Sequence, residues 1–247
     1  LKIYQSDYVW KEYPVLHFNF AQIVTTSPEQ LEISLQEALE DAALSQGIST
    51  TGASSQTQLK RLVIELAKKE RVVVLVDEYD SAIINNLKHP EIAEKNRDIL
   101  KGFFGTLKSL DQHLKFTFVT GVSKFSQVSL FSGPNNLTDI TMETRYAGMM
   151  GYTEEEVKET FQEYIYEIAK GRSEQENLVT EKDVLDEIRT WYNGYRFSEG
   201  DVCVYNPFST LKFMQSKTPK AYWYSSGTPS FLIDELKNHS QSMVSLD

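Results

Sequence analysis

The chain has 247 residues, 40% hydrophobic and 24% charged, enough for one large domain or a core domain with a smaller second one. Its net charge of −10 disfavours nucleic-acid binding through the overall surface field, although it leaves a local basic patch open. The longest apolar run is too short to span a membrane. A single cysteine, Cys203, excludes an internal disulfide and favours a reducing compartment, which we take to be the cytoplasm.

The first part of the chain opens with a strand and two helices. Pro14–Phe20 (PVLHFNF) predicts the strand, and apolar residues at helical spacing from Pro28 to about Ser45 predict the first helix. Gly47–Gln56 is rich in Gly, Ser and Thr and predicts an exposed loop. A second amphipathic helix follows, for which Thr57 is the predicted cap.

A continuous apolar strand comes next, within Arg71–Asp80 (RVVVLVDEYD). Such a run predicts a strand buried on both faces, as in a parallel sheet with helices on either side. A helix from Pro90 to about Asp111 and a strand over Lys115–Gly121 follow. The order strand, helix, helix, strand, helix, strand predicts an α/β fold with a parallel sheet and right-handed crossovers.

The second part of the chain has a different character, with a boundary near Gly151 and one short candidate strand before it at Asp139–Met142. Its predicted elements are helices over 153–170 and 181–192, a hairpin within Tyr195–Tyr205, and short helices over 207–215 and 229–238. This outline is typical of a small winged-helix-like lid. We therefore expect domains at 1–150 and 151–247.

Two carboxylates, Asp77 and Glu78, follow the apolar strand directly. They would lie at the carboxyl edge of the sheet, where open α/β folds bind ligands. This is the Walker B pattern of P-loop nucleotide hydrolases. Asp77 suits a Mg²⁺ ion that keeps several of its waters, and Glu78 suits a base that orients or deprotonates the attacking water. The alternative is that both residues cap the following turn or pair with Lys or Arg.

Polar residues after the neighbouring strand are the next candidates. Thr120 and Ser123, with Lys124 behind them, match the position of a polar sensor that contacts the γ-phosphate or the water. An ordinary transition from strand to turn explains them equally well. Arg145 could contact a transferring phosphate or join the lid to the core by an ion pair.

A phosphate-binding loop is the missing part. It requires the spacing G-x-x-x-x-G-K-[ST], so that successive backbone N–H groups surround the phosphates. Gly121–Lys124 lacks the glycine before the lysine, and Gly102–Gly105 lies inside a helical pattern. In this topology the loop and its strand precede Pro14–Phe20. Because the chain begins at Leu1 rather than Met, we expect both to lie upstream of it.

Long ordered segments give a resemblance over essentially the whole chain. They include EYPVLHFNF, VVVLVDEYD, LKGFFGTLKS, FTFVTGVSKFSQVSLFSGPNNLTDIT, RYAGMMGYTEEEV, WYNGYRF, VYNPFSTL and YWYSSGTPSFLI. The chain resembles the bacterial AAA-ATPase-like proteins, which implies an ATPase core with an additional strand and a winged-helix-like lid. The resemblance also implies ATP and Mg²⁺ as cofactors, an Arg-rich Walker A upstream, and often a C-terminal restriction-endonuclease-like domain. Asp77 and Glu78 match the Walker B of the family, and Thr120–Lys124 match its sensor-like segment.

Two functions follow as hypotheses. The first is an ATP-binding, Mg²⁺-dependent ATP-hydrolysing module of a larger protein, incomplete and inactive as this piece. The second is a regulatory module that presents a surface to protein or DNA, through the lid or a further domain, and the aromatic clusters could stack bases there. A nuclease within the chain is disfavoured, since its Glu-x-Lys triplets lie on predicted helices. A ring or dimer is open, if Arg145 acts on a neighbour's nucleotide.

Overall fold

A computed structural model describes residues 6–122, 137–174 and 178–223. The chain divides into two compact units, Leu1–Thr138 and Asp139–Asp247, each of which has its own hydrophobic core. The division falls before Gly151, the boundary predicted from the sequence. The assignment of the two parts as ATPase core and lid stays a prediction.

The first unit is built on a parallel sheet in the order β1–β2–β3. The strands are β1 at Val15–Asn19, β2 at Val72–Asp77 and β3 at Leu114–Val119. Asn19 is in register with Asp77, and Val76 with Val119. The carboxyl ends of all three strands therefore meet at one edge. The predicted parallel sheet and the order of its elements are confirmed.

The helices of the first unit begin where caps and prolines allow. They are α1 at Pro28–Ser45, α2 at Ser55–Ala67, α3 at Ser81–Ile84 and α4 at Pro90–Ser109. The prediction of Thr57 as the cap of α2 is wrong, because the cap is Ser54, whose hydroxyl accepts the Thr57 N–H at 3.3 Å. A carboxylate of α1 binds the first residue of α2: Glu32 accepts the N–H of Ser55 at 2.6 Å and its hydroxyl at 2.8 Å.

The core of the first unit lies on one face of the sheet, under α1, α2 and α4. The strand residues buried in it are Leu16, Phe18, Val72, Val74, Val76 and Leu114. Phe18 packs edge-to-face on Phe103 of α4, with ring centroids 5.6 Å apart. Burial of each large side chain stabilises the unit by roughly 1.5–3 kcal/mol, so this face holds the layers together.

The opposite face of the sheet lies outside that core. Val73 and Leu75 are half-buried on it, and Phe116 is 54% exposed. Phe116 and Phe118 stack on each other there, with centroids 6.0 Å apart. The prediction that β2 is buried on both faces is thus wrong within the described residues, where only one helical layer is present. Parallel sheets normally have both faces covered.

The second unit combines helices with a two-stranded hairpin. Its elements are a 3₁₀ turn at Thr144–Tyr146, α5 at Glu154–Thr160, α6 at Gln162–Ser173, α7 at Glu181–Tyr192, β4 at Tyr195–Arg196, β5 at Cys203–Val204 and α8 at Pro207–Ser216. The helices near 181–192 and 207–215 and the antiparallel hairpin are confirmed. The comparison with a winged-helix lid stays a prediction.

Three predictions for the second unit have other outcomes. The helix over 153–170 is interrupted at Phe161, which is buried against Tyr152 with ring centroids 5.3 Å apart. The strand at Asp139–Met142 is wrong, since this stretch is loop and turn; four residues carry too little pattern to separate these states. The helix over 229–238 lies outside the described residues.

A charged network joins the elements of the second unit. Arg189 of α7 donates to both oxygens of Glu154 in α5, at 2.5 and 3.3 Å. Tyr205 donates its hydroxyl to Glu154, and Lys158 forms an ion pair with it at 3.0 Å. The hydrogen bond from Arg189, helped by those from Tyr205 and Lys158, lowers the pKa of Glu154 to about 2. Burial, and then the bond to Glu154, raises the pKa of Tyr205.

Candidate functional site

The acid pair lies at the carboxyl edge of the central strand. Asp77 is the last residue of β2 and Glu78 follows it; both are exposed, whereas Tyr79 and Asp80 are buried. The structure thus places two carboxylates in solvent between the ends of β1 and β3. Asn19, the register partner of Asp77, ends β1 at the same edge, and its side chain accepts the Ala21 N–H at 3.0 Å.

Thr120 contacts Asp77 directly. Its hydroxyl donates a short hydrogen bond to Oδ1 of Asp77, and its backbone N–H donates to the Val76 carbonyl at 2.8 Å. The carbonyl of Thr120 accepts the Tyr79 N–H at 3.0 Å. The ladder between β2 and β3 therefore continues past the strand ends and holds the Asp77 carboxylate in one orientation. Oδ2 of Asp77 accepts no hydrogen bond from the described residues.

Glu78 has a left-handed backbone conformation, with φ of +52°. For an L residue other than glycine this costs about 1 kcal/mol. The neighbouring peptides fix it: Tyr79 donates to Thr120, and Ser81 donates to the Glu78 carbonyl at 3.0 Å. A strained residue held this firmly is more common at functional sites than elsewhere, which supports a role for Glu78 beyond that of a surface charge.

Asp80 is a third carboxylate close behind β2, for which the sequence predicted no role. It is fully buried, and its two oxygens accept the Val122 N–H at 3.2 and 3.0 Å. Gly121, beside it, has no room for a side chain: a Cβ there would lie 2.5 Å from Cδ1 of Tyr79 and 2.8 Å from Oδ1 of Asp80. The combination of VDEYD and VTG was the available signal, but the pairing of these segments is tertiary.

Two buried amides join the segments that follow β1 and β2. Asn86 and Asn96 both donate to the carbonyls of Thr25 and Ala82, over distances of 2.8 to 3.2 Å. The loop after β1 is thereby joined to the segment after β2. The Ser81 hydroxyl adds a link to the Phe20 carbonyl at 2.8 Å. The sequence offered no pattern for these contacts.

The remaining candidates lie in the second unit or outside the described residues. Arg145 lies in the 3₁₀ turn of the second unit, 3.7 Å from Glu143 and with its guanidinium 4.8 Å from the Tyr146 ring centroid. Its side chain is 65% exposed, so these local contacts are weak. Ser123 and Lys124 lie outside the described residues.

The donor set at the edge fits Mg²⁺ rather than a metal enclosed by protein. No cluster of three or more His, Cys, Asp or Glu side chains able to hold a metal occurs among the described residues. Mg²⁺ is commonly held by one or two carboxylates together with waters and substrate phosphates. Asp77, exposed, oriented by Thr120 and with Oδ2 open, meets that requirement.

Comparisons with known proteins give a family and a relative for this chain. A family described as predicted AAA-ATPase matches residues 1–131. A relative from Azotobacter chroococcum mcd 1, described as an uncharacterized protein in the vnfD 5′ region, is 40% identical over 228 residues. The match covers 92% of this chain and 41% of the relative, so the chain spans less than half of its length. No solved structure matches significantly. In the described part of the chain, no helix has the length and apolarity to cross a membrane.

Proposed function

Since the chain belongs to the predicted AAA-ATPase family, we propose that it provides the metal-and-water half of a Mg²⁺-dependent ATP-hydrolysing site in a larger protein. The observation that carries the proposal is the exposed Asp77–Glu78 pair at the tip of the central strand, with the Asp77 carboxylate fixed by Thr120. A cytoplasmic location accords with ATP as substrate and with the lone Cys203.

Each acid has a separate task in this proposal. Asp77 would bind Mg²⁺, directly or through a water, while the ion neutralises charge on the phosphate oxygens. Glu78 would accept a proton from the water that attacks the γ-phosphorus. The bond from that phosphorus to the β-phosphate oxygen breaks, and ADP leaves with that oxygen. A positioned base contributes roughly 10²–10⁴ in rate.

Thr120 has the role of a positioning residue in the same proposal. Its hydroxyl already donates to Asp77, as the partners of metal ligands commonly do. Contact of Thr120, Ser123 or Lys124 with the γ-phosphate, and of Arg145 with a transferring phosphate, stay predictions.

The sheet has room for a further strand beside β3, which supports a phosphate-binding segment that precedes Leu1. β3 pairs only with β2 among the described residues, and both crossovers run over the covered face. The connection from a strand beyond β3 back to β1 would cross the sheet in the direction opposite to that of the two existing crossovers. To be right-handed, it must therefore run over the exposed face. Its helix would cover Val73, Leu75 and Phe118 and would begin at the edge that carries Asp77.

The test uses the protein extended upstream, with phosphate release and ATP binding measured separately. Glu78→Gln should lower the hydrolysis rate about 10²–10⁴-fold and leave ATP binding within a few fold. Asp77→Asn should abolish the dependence of ATP binding on Mg²⁺. Glu12→Gln, an exposed position before β1, is the matched control and should hydrolyse ATP at the wild-type rate. Unchanged hydrolysis in Glu78→Gln would show that Glu78 is not the base.

The alternative of a non-catalytic module is tested by the same binding data. The second unit, Asp139–Asp247, holds 19 Asp and Glu against 11 Lys and Arg, which gives −8 of the total −10. Its hairpin carries Glu199 and Asp201 between the strands. This charge disfavours contact with a phosphate backbone, so within this alternative a protein partner is the better candidate. ATP binding without turnover in the extended wild-type protein would favour it.

A further inference from the structure

Asp80 is a buried carboxylate that the proposed chemistry leaves unused. It is 0% exposed, and removal of a carboxylate from water is costly unless hydrogen bonds replace the solvent. The ordinary role of an Asp at this place is to cap the next helix. Asp80 stands at the cap position of α3 but makes no side-chain cap bond to it. Its carboxylate must therefore serve a different contact.

That contact joins the two segments that form the acid edge. Asp80 accepts the Val122 N–H with both oxygens, two residues beyond the Thr120 that holds Asp77. The Tyr79 N–H donates to Thr120 between these two links. The residues on both sides of Glu78 are thus attached to the same segment after β3. The backbone of Glu78 lies between these attachments.

The strain at Glu78 shows why such a link is needed. With φ of +52°, the residue would relax to a negative φ if the following turn were released. That change would redirect the carboxylate that the proposed function assigns as base. We propose that Asp80 is a positioning residue, which holds the turn after β2 against the loop after β3 and so keeps Glu78 in its left-handed conformation. The role in catalysis rests on the proposed function; the hold on the backbone does not.

Gly121 offers an independent way to disturb the same link. A Cβ at this position would lie 2.8 Å from Oδ1 of Asp80 and would also meet the Tyr79 ring. Gly121→Ala therefore separates the segments without removal of the carboxylate. It serves where Asp80→Ala fails to fold.

The experiment combines kinetics with a measurement that needs no activity. In the extended protein, Asp80→Ala should lower kcat at least 10-fold with KM for ATP changed less than 3-fold, and Asp80→Asn, which keeps one acceptor oxygen, should recover most of the rate. Gly121→Ala should repeat the pattern of Asp80→Ala. Val63→Ala, a core change in α2, controls for general loss of stability.

The second measurement compares Glu78→Gly with Glu78→Ala by urea unfolding. Glycine tolerates a positive φ and alanine does not, so the Gly variant should have the higher midpoint when Asp80 is present. In the Asp80→Ala or Gly121→Ala background the difference should disappear. A midpoint difference that persists there overturns the proposal, whether or not the protein hydrolyses ATP. If the extended wild type has no ATPase activity while the difference behaves as expected, only the proposed function fails.

Discussion

Replacement of Glu154 by Gln should destabilise the second unit in a pH-dependent way. The network of Arg189, Tyr205 and Lys158 holds the pKa of Glu154 at about 2, against an ordinary value of 4.5. A depressed folded-state pKa adds stability above the unfolded-state value, and this stability is lost as the pH falls through the folded-state value. The effect of the substitution should therefore be complete at pH 7 and shrink between about pH 4.5 and 2.

The magnitude follows from the size of the shift. A change from 4.5 to about 2 corresponds to roughly 3 kcal/mol at 1.36 kcal/mol per unit. Because the Glu154 side chain is 24% exposed, solvent screening reduces this, and we expect about 1–2 kcal/mol at pH 7. From the same linkage relation, less than half of the difference should remain near pH 3.

Urea unfolding followed by tyrosine and tryptophan fluorescence, repeated from pH 7 to pH 3, measures this difference. Glu155→Gln is the matched control, because Glu155 is an exposed neighbour in the same helical turn. The control should change the free energy of unfolding by less than about 0.5 kcal/mol. A Glu154→Gln effect that is equally large at pH 7 and pH 3 would refute the electrostatic explanation and would point to packing instead.

Two further substitutions test the acid edge and the start of α2. Thr120→Val removes the hydroxyl that orients Asp77 and should lower Mg²⁺ affinity or kcat of the extended protein about 10-fold; Thr117→Val, half-buried in the same strand, should leave both unchanged. Ser54→Ala should cost about 1 kcal/mol of stability by urea unfolding. Thr57→Ala should cost less, because it keeps the backbone N–H that the cap accepts and loses only the hydrogen bond between the Thr57 and Ser54 hydroxyls.

The elements of the first unit followed from local patterns. The run VVVLV has β-branched residues and no alternation, and it formed the central strand of a parallel sheet. Pro28 and Pro90 begin α1 and α4 as predicted, because proline at the first helical position needs no hydrogen-bond partner. These features depend on neighbours within a few residues, which is the range over which a sequence pattern carries information.

Contacts between distant segments could not be predicted in the same way. Asp80 and Val122 are 42 residues apart, and the burial that makes the pair matter exists only after β2 and β3 align. The left-handed conformation of Glu78 has no signal in its residue type, since Glu avoids positive φ. The exposed face of the sheet was also unpredictable, because an apolar strand does not reveal whether its second covering layer lies in the same stretch of sequence.

The acid edge is preorganised by contacts within the first unit alone. Thr120 orients Asp77, Tyr79 and Ser81 fix the peptides around Glu78, and Asp80 joins the turn to Val122. None of these bonds needs the phosphate-binding segment. The strain at Glu78 is therefore offset when the unit folds, before any nucleotide binds, and ATP binding need not supply that energy. In the proposed enzyme the upstream segment has to bring only the phosphates and their backbone N–H donors to carboxylates already in place.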